Sequence, residues 1–215
     1  MKGLIYTLGL IGTFAFAVFG ANMAISKKLD VFGVLVCAFI TALGGGTLRA
    51  FFLSEVPFYF TNNIYILIIA LGVLFAILTY RFFKKIEKVM LLIDALGLCS
   101  FALVGASAAS KAGFGVFAIT FLAIITAAGG SIIRDAIIHE LPSILHEGLY
   151  ATPAALIGLL YGIFGSLRHN EIFVVAILAG SYLLRLSSIY WRTGMWRPSD
   201  TPAIVPDIEL DPVDS

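Results

Sequence analysis

The sequence predicts an all-α integral membrane protein with seven transmembrane helices, built as a 3+3 inverted repeat plus one, with helices 2 and 5 broken at glycine clusters. Three observations predict it. The 215 residues are 60% hydrophobic and only 13% charged, with a mean hydropathy of +1.01. That is about half the charge of a soluble domain, and a chain of this size cannot hide so much apolar surface from water. The apolar residues gather into seven runs near the length of about 20 that crosses a bilayer. The sequence also overlays itself when shifted by 85 positions.

The first run covers residues 3–25 behind Lys2. It is too long for the apolar region of a signal peptide and recurs later in the chain, so it belongs to the fold. The second, third and fourth runs are 31–53, 63–83 and 90–110. The last three are 114–138, 150–167 and 172–191. The links are short and mostly polar, such as Ser26-Lys27-Lys28, Thr61-Asn62-Asn63 and Arg168-His169-Asn170. Strands of a membrane barrel would be shorter and alternating. Residues 1–88 form the first three-helix repeat and 89–169 the second, inverted one. Residues 170–197 carry the seventh helix and a cytoplasmic end. Residues 198–215, with five acids, four prolines and no base, read as a disordered acidic tail.

Lys27, Lys28, Arg81, Lys84, Lys85, Lys88, Arg192 and Arg197 fall on one side of these spans, and Lys2, Lys111 and Arg168 on the other. The positive-inside rule then places the N-terminus outside and the C-terminus in the cytoplasm of a bacterial inner membrane. A net charge of +1 gives no reason to expect nucleic acid. Cys37 and Cys99 lie in apolar runs and read as small buried hydrophobes. No metal-ligand spacing is present, and no cofactor is expected.

The repeat pairs Phe16-Ala17 with Phe101-Ala102, Gly20-Ala21 with Gly105-Ala106, and Thr41-Ala42 with Thr126-Ala127. It pairs Gly44-Gly45 with Gly129-Gly130, Arg49 with Arg134, Glu55 with Glu140, and Pro57 with Pro142. Three helices per unit is odd, so the second unit enters the membrane from the opposite side. Gly44, Gly45 and Gly46 lie mid-span, as do Gly129 and Gly130. Adjacent glycines weaken a helix by about 1 kcal/mol each relative to Ala. A kink or unwound turn there would free backbone groups that must face protein or water. Close packing of small residues is the simpler alternative.

An arginine follows each cluster by roughly one turn. Such a charge within a span is costly unless paired, hydrated or snorkelling. The recurrence suggests an aqueous path lined by Thr41, Gly44, Gly45, Gly46, Thr47 and Arg49 from one unit. Thr126, Gly129, Gly130, Ser131, Arg134 and Asp135 come from the other. Asp135, Glu55, Glu140 and Asp94 are the candidate counter-charges. For Asp94, which opens the fourth run, capping that helix is the simpler role. Ser131 and His139 are about 12 Å apart along a helix, too far for a nucleophile and its base, and no hydrolase motif is present. The sequence reads as a non-enzyme.

The segments "FAVFGANMA", "ITALGGGTLRA", "LIDALGLCSFALVGASAA" and "AIITAAGGSIIRDAIIHELP" resemble the bacterial branch of the TRIC (trimeric intracellular cation) channel superfamily, also catalogued as a glycine-transporter-type family of paired three-helix domains. The resemblance covers roughly residues 4–167. It implies a homotrimer in membrane lipid, with a pore in each protomer lined by glycine-kinked helices 2 and 5. It also implies passage of monovalent cations, chiefly K+, with Na+ the other candidate for a bound ion. The first repeat departs from the pattern: it ends Arg49-Ala50, where Arg-Asp is usual. Two readings stay open. One is a channel whose backbone carbonyls and hydroxyls replace ion hydration. The other is a carrier for a small zwitterion such as glycine, with arginine and a helix N-terminus holding its carboxylate.

Overall fold

The computed structural model describes residues 2–83, 87–146 and 149–191. The expectations for Lys84, Lys85, Arg192, Arg197 and the tail from residue 198 lie outside these residues. The described chain runs through α1 (Lys2–Ser26), α2 (Val31–Leu53), α3 (Phe58–Thr61), α4 (Ile64–Phe83) and α5 (Glu87–Lys111). It continues through α6 (Val116–Ile137), α7 (Ser143–His146), α8 (Thr152–Ile163) and α9 (Glu171–Trp191). Six of these, α1, α2, α4, α5, α6 and α9, are long and apolar enough to span a membrane.

The expected sixth span is shorter than the others. Helix α8 has 12 residues, about 18 Å of rise, and a 3-10 turn at Gly165–Leu167 extends it. Pro153 in its first turn suits a helix start, where no amide partner is lost. At the far end Phe164 leaves helical geometry. Arg168 then covers the exposed carbonyls, donating to Tyr161 O at 2.9 Å and Gly162 O at 3.0 Å. Its third bond, to Ser110 Oγ at 2.7 Å, ties this end to α5.

The 85-residue repeat is written in the backbone. Helices α1 and α5, and α3 and α7, start and stop at positions 85 apart. So do α2 and α6, apart from one residue at the end. Left-handed residues recur as mates: Lys28 with Gly113, and Ser54 with His139. After each left-handed stop, the Glu55 and Glu140 amides reach back to Ala50 O and Asp135 O, both at 2.9 Å. Such closures satisfy the last carbonyls of α2 and α6.

The units pack about a local two-fold axis. Phe16 of α1 and its mate Phe101 of α5 meet with ring centroids 5.3 Å apart. Gly12 lies against Phe101, and its mate Gly97 lies against Phe16. These reciprocal contacts run in opposite chain directions, as an inverted repeat requires. Fully buried small residues, including Ala17, Ala21, Ala24, Ala102, Ala106 and Ala109, bring α1 and α5 to the centre. Large apolar side chains face outward from the outer helices, among them Leu67, Leu78, Phe117, Ile172 and Leu183. Lipid is the solvent that accommodates them.

Candidate functional site

Helices α2 and α6 cross at the glycines. A Cβ added to Gly45 would collide with the Thr126 carbonyl, and one added to Gly130 with the Thr41 carbonyl. One added to Gly44 would sit 2.9 Å from the Gly130 Cα. Both helices run α-helical through the clusters without interruption. The expected break is therefore absent as an unwound turn. The physical reason is that glycine's missing side chain here permits backbone contact across the axis. Carbonyls freed by unwinding would need new partners in protein or water, and the intact helices leave none freed.

Thr41 and Thr126 are buried beside the crossing, and each hydroxyl donates to its own helix, to Cys37 O and Leu122 O at 2.6 Å. Gly20 packs on Thr41 and Gly105 on Thr126. Gly129 lies against Leu48 and Gly45. Gly46 instead faces the Phe58 ring. Thr47 is exposed and bonds Leu43 O and the Tyr59 hydroxyl, so the structure does not bring it to the crossing.

The two arginines flank the crossing from opposite ends. The contacts place Thr41 level with Gly130 and Gly45 level with Thr126. One turn further on, Arg49 and Arg134 are separated by roughly 18 Å along the axis. Arg134 is 1% exposed. Its Nε and Nη2 both donate to Asp135 Oδ1, at 2.9 and 2.6 Å. Asp135 Oδ2 accepts the Ser143 amide at 3.1 Å, which ties the pair to the start of α7. Phe19 lies 4.8 Å from the guanidinium. Arg49 is also buried, with Phe58 at 5.7 Å, but its Nε has no hydrogen-bond partner among the described residues.

The second unit holds another buried polar group. Asp94 is 1% exposed and accepts the Tyr150 hydroxyl at 3.2 Å. It stands two turns inside α5, so it does not cap that helix. Arg185 of α9 lies 4.7 Å from the Tyr150 ring, and Ser131 lies beside the Tyr150 hydroxyl. Tyr150 thus links α5, α6 and α9. The first unit has the mate tyrosine, Tyr65, but its hydroxyl lies beside Gly9, where the second unit has Asp94.

Sequence reasoning missed Tyr150 and Arg185. The pairing of Tyr65 with Tyr150 under the 85-residue shift, and an arginine inside the seventh run, were the available signals. The expected counter-charges separate. Glu140 pairs with Lys27 across the ends of α1 and α6, both about 40% exposed, and not with Arg134. Glu55 is exposed, though within electrostatic reach of Arg49. Among the described residues no group of three or more His, Cys, Asp or Glu is placed to hold a metal, and both cysteines are free and buried.

An antiparallel pair of three-helix units, meeting at a glycine crossing with a buried arginine beyond each end, defines a polytopic membrane protein of inverted-repeat architecture. The glycine transporter family model matches residues 6–81 and again 91–166, once per unit, and the chain belongs to that family. The UPF0126 inner membrane protein YadS of Escherichia coli is 34% identical over 197 residues, 88% of this chain and 93% of that protein. A UPF0126 membrane protein of Deinococcus radiodurans is 37% identical over 154 residues, 70% of this chain and 72% of that protein. Among solved structures, a TRIC cation channel studied for its conductance is 33% identical, with a TM-score of 0.83 over 92% of this chain and 98% of that one. A prokaryotic TRIC channel in 0.5 M KCl is 31% identical, with a TM-score of 0.84 over 89% and 98%. The TRIC trimeric intracellular cation channel orthologue of Rhodobacter sphaeroides is 28% identical, with a TM-score of 0.82 over 87% and 98%.

Proposed function

We propose that this protein is a membrane channel for monovalent cations, K+ favoured, with one pore inside each protomer of a homotrimer. The observation that carries the reading is the likeness to TRIC cation channels along 98% of their length. Within that frame Arg49, followed by Ala50 where its mate is followed by Asp135, acts as the gating charge, while Arg134 is neutralised by the adjacent Asp135. The α2–α6 contact at Gly45 and Gly130 is closed to ions, since two backbones fill it, so conduction between these helices requires them to part. Charges moving through the membrane field contribute about 2.3 kcal/mol each per 100 mV, which makes opening voltage-dependent. The N-terminus lies outside and the C-terminus in the cytoplasm.

The test is purified protein in a planar bilayer under a KCl gradient. Discrete unitary currents that reverse near the K+ potential support the channel. The family model's name supplies the second reading, a glycine carrier. No currents, together with saturable glycine uptake into proteoliposomes, would establish that reading instead. If R49A and R134A both leave flux, selectivity and voltage response unchanged, the arginines do not lie along the path.

A further inference from the structure

The two repeat units neutralise their buried arginines differently. On Arg134, the edge formed by Nε and Nη2 is taken by a single oxygen of Asp135. On Arg49, the same Nε has no hydrogen-bond partner among the described residues. The mate of Asp135 is Ala50, itself 2% exposed, so a methyl stands where the other unit has a carboxylate. Guanidinium does not lose its proton, and a buried charge without a counter-ion is strongly disfavoured. Phe58 covers one face of Arg49 but brings no charge. Glu55 acts on it only from an exposed turn beyond the end of α2. The mate glutamate, Glu140, is likewise engaged at the surface, with Lys27.

We propose that Arg49 is a binding site for a small monovalent anion of halide size, which does for Arg49 what Asp135 does for Arg134. One acceptor between Nε and Nη2 is the geometry the second unit displays, and a halide accepts a forked pair of N–H groups in the same way. Arg49 is 8% exposed against 1% for Arg134, so the first side chain lies nearer the surface of the bundle, although its Nε is itself buried. The anion enters from the Arg49 end of the bundle. The site does not depend on whether the protein is a channel or a carrier.

The test is crystals of the full-length protein grown in NaBr in place of NaCl. Anomalous bromide density is expected beside the Nε edge of Arg49 and absent beside Arg134. It should vanish in R49Q, and in A50D, where a built-in carboxylate takes its place. No bromide density at Arg49 in the wild-type protein overturns the proposal, as does density that persists in R49Q. Thermal melting of purified protein gives a second readout that does not depend on A50D folding. The wild-type protein should melt higher in chloride than in gluconate, since a ligand bound only by the native state stabilises it. R49Q should melt alike in both. Equal melting of the wild-type protein in the two salts overturns the site.

Discussion

Gly45 lies with its Cα against the carbonyl of Thr126, and the local two-fold repeats that contact as Gly130 against Thr41. A methyl at either glycine must push backbone from backbone, since no side chain is there to yield. G45A and G130A should each destabilise by about 1–3 kcal/mol through overpacking. Their gain in helix propensity, about 1 kcal/mol, offsets part of that. G180A is the control: a Cβ there meets nothing within 4 Å, so it should be neutral or mildly stabilising. Melting temperatures in detergent decide, and G45A matching G180A would refute the contact.

Asp135 is the counter-charge that lets Arg134 be buried. Removing it alone leaves an uncompensated guanidinium, and D135A should cost about 3–5 kcal/mol. Replacing both partners with apolar residues should cost much less than the sum of the single changes. A double-mutant cycle on thermal stability checks the coupling.

Tyr150 and Tyr65 are repeat mates in different company. The Tyr150 hydroxyl donates to the buried Asp94 carboxylate, and a bond to a charged group contributes about 1.5–3 kcal/mol. The Tyr65 hydroxyl lies beside Gly9, which has no side-chain acceptor. Y150F should therefore lower stability clearly more than Y65F. Equal effects in parallel melts would show that Asp94 is not the acceptor that matters.

Lys27 and Glu140 join the ends of α1 and α6 in a partly exposed pair. Its contribution should be below about 1 kcal/mol and should fade in high salt. K27A and E140A should melt within a few degrees of the parent at low ionic strength, and the difference should shrink at 1 M NaCl. A large, salt-independent loss would contradict this.

Much of the fold was legible because lipid imposes a simple demand. Seven apolar runs of near-spanning length, and the mates Gly45 with Gly130 and Arg49 with Arg134, follow from composition and spacing. The burial of Arg134 beside Asp135 was legible too, since adjacent opposite charges in a span suggest a pair. The short α8 was less so, because residues 150–167 are apolar throughout and only Pro153 and the glycines hint at its limits. The partner of Glu140 was illegible: Lys27 lies more than 100 positions away in sequence.

The amino-acid sequence by itself determined that the chain lives in a membrane, that it is doubled, and which residues recur in the two halves. Those properties depend on the hydropathy and order of residues along one chain. Only the tertiary structure decided what the recurring residues do. It turned the glycine clusters from expected breaks into a contact between two intact helices, because the facing backbone was Thr126 and Thr41. It gathered Asp94, Tyr150 and Arg185 from three distant segments. It also left the Arg49 Nε without the carboxylate that its mate has. Each of these depends on which surfaces meet across the bundle, and the meeting of surfaces is a property of packing in space.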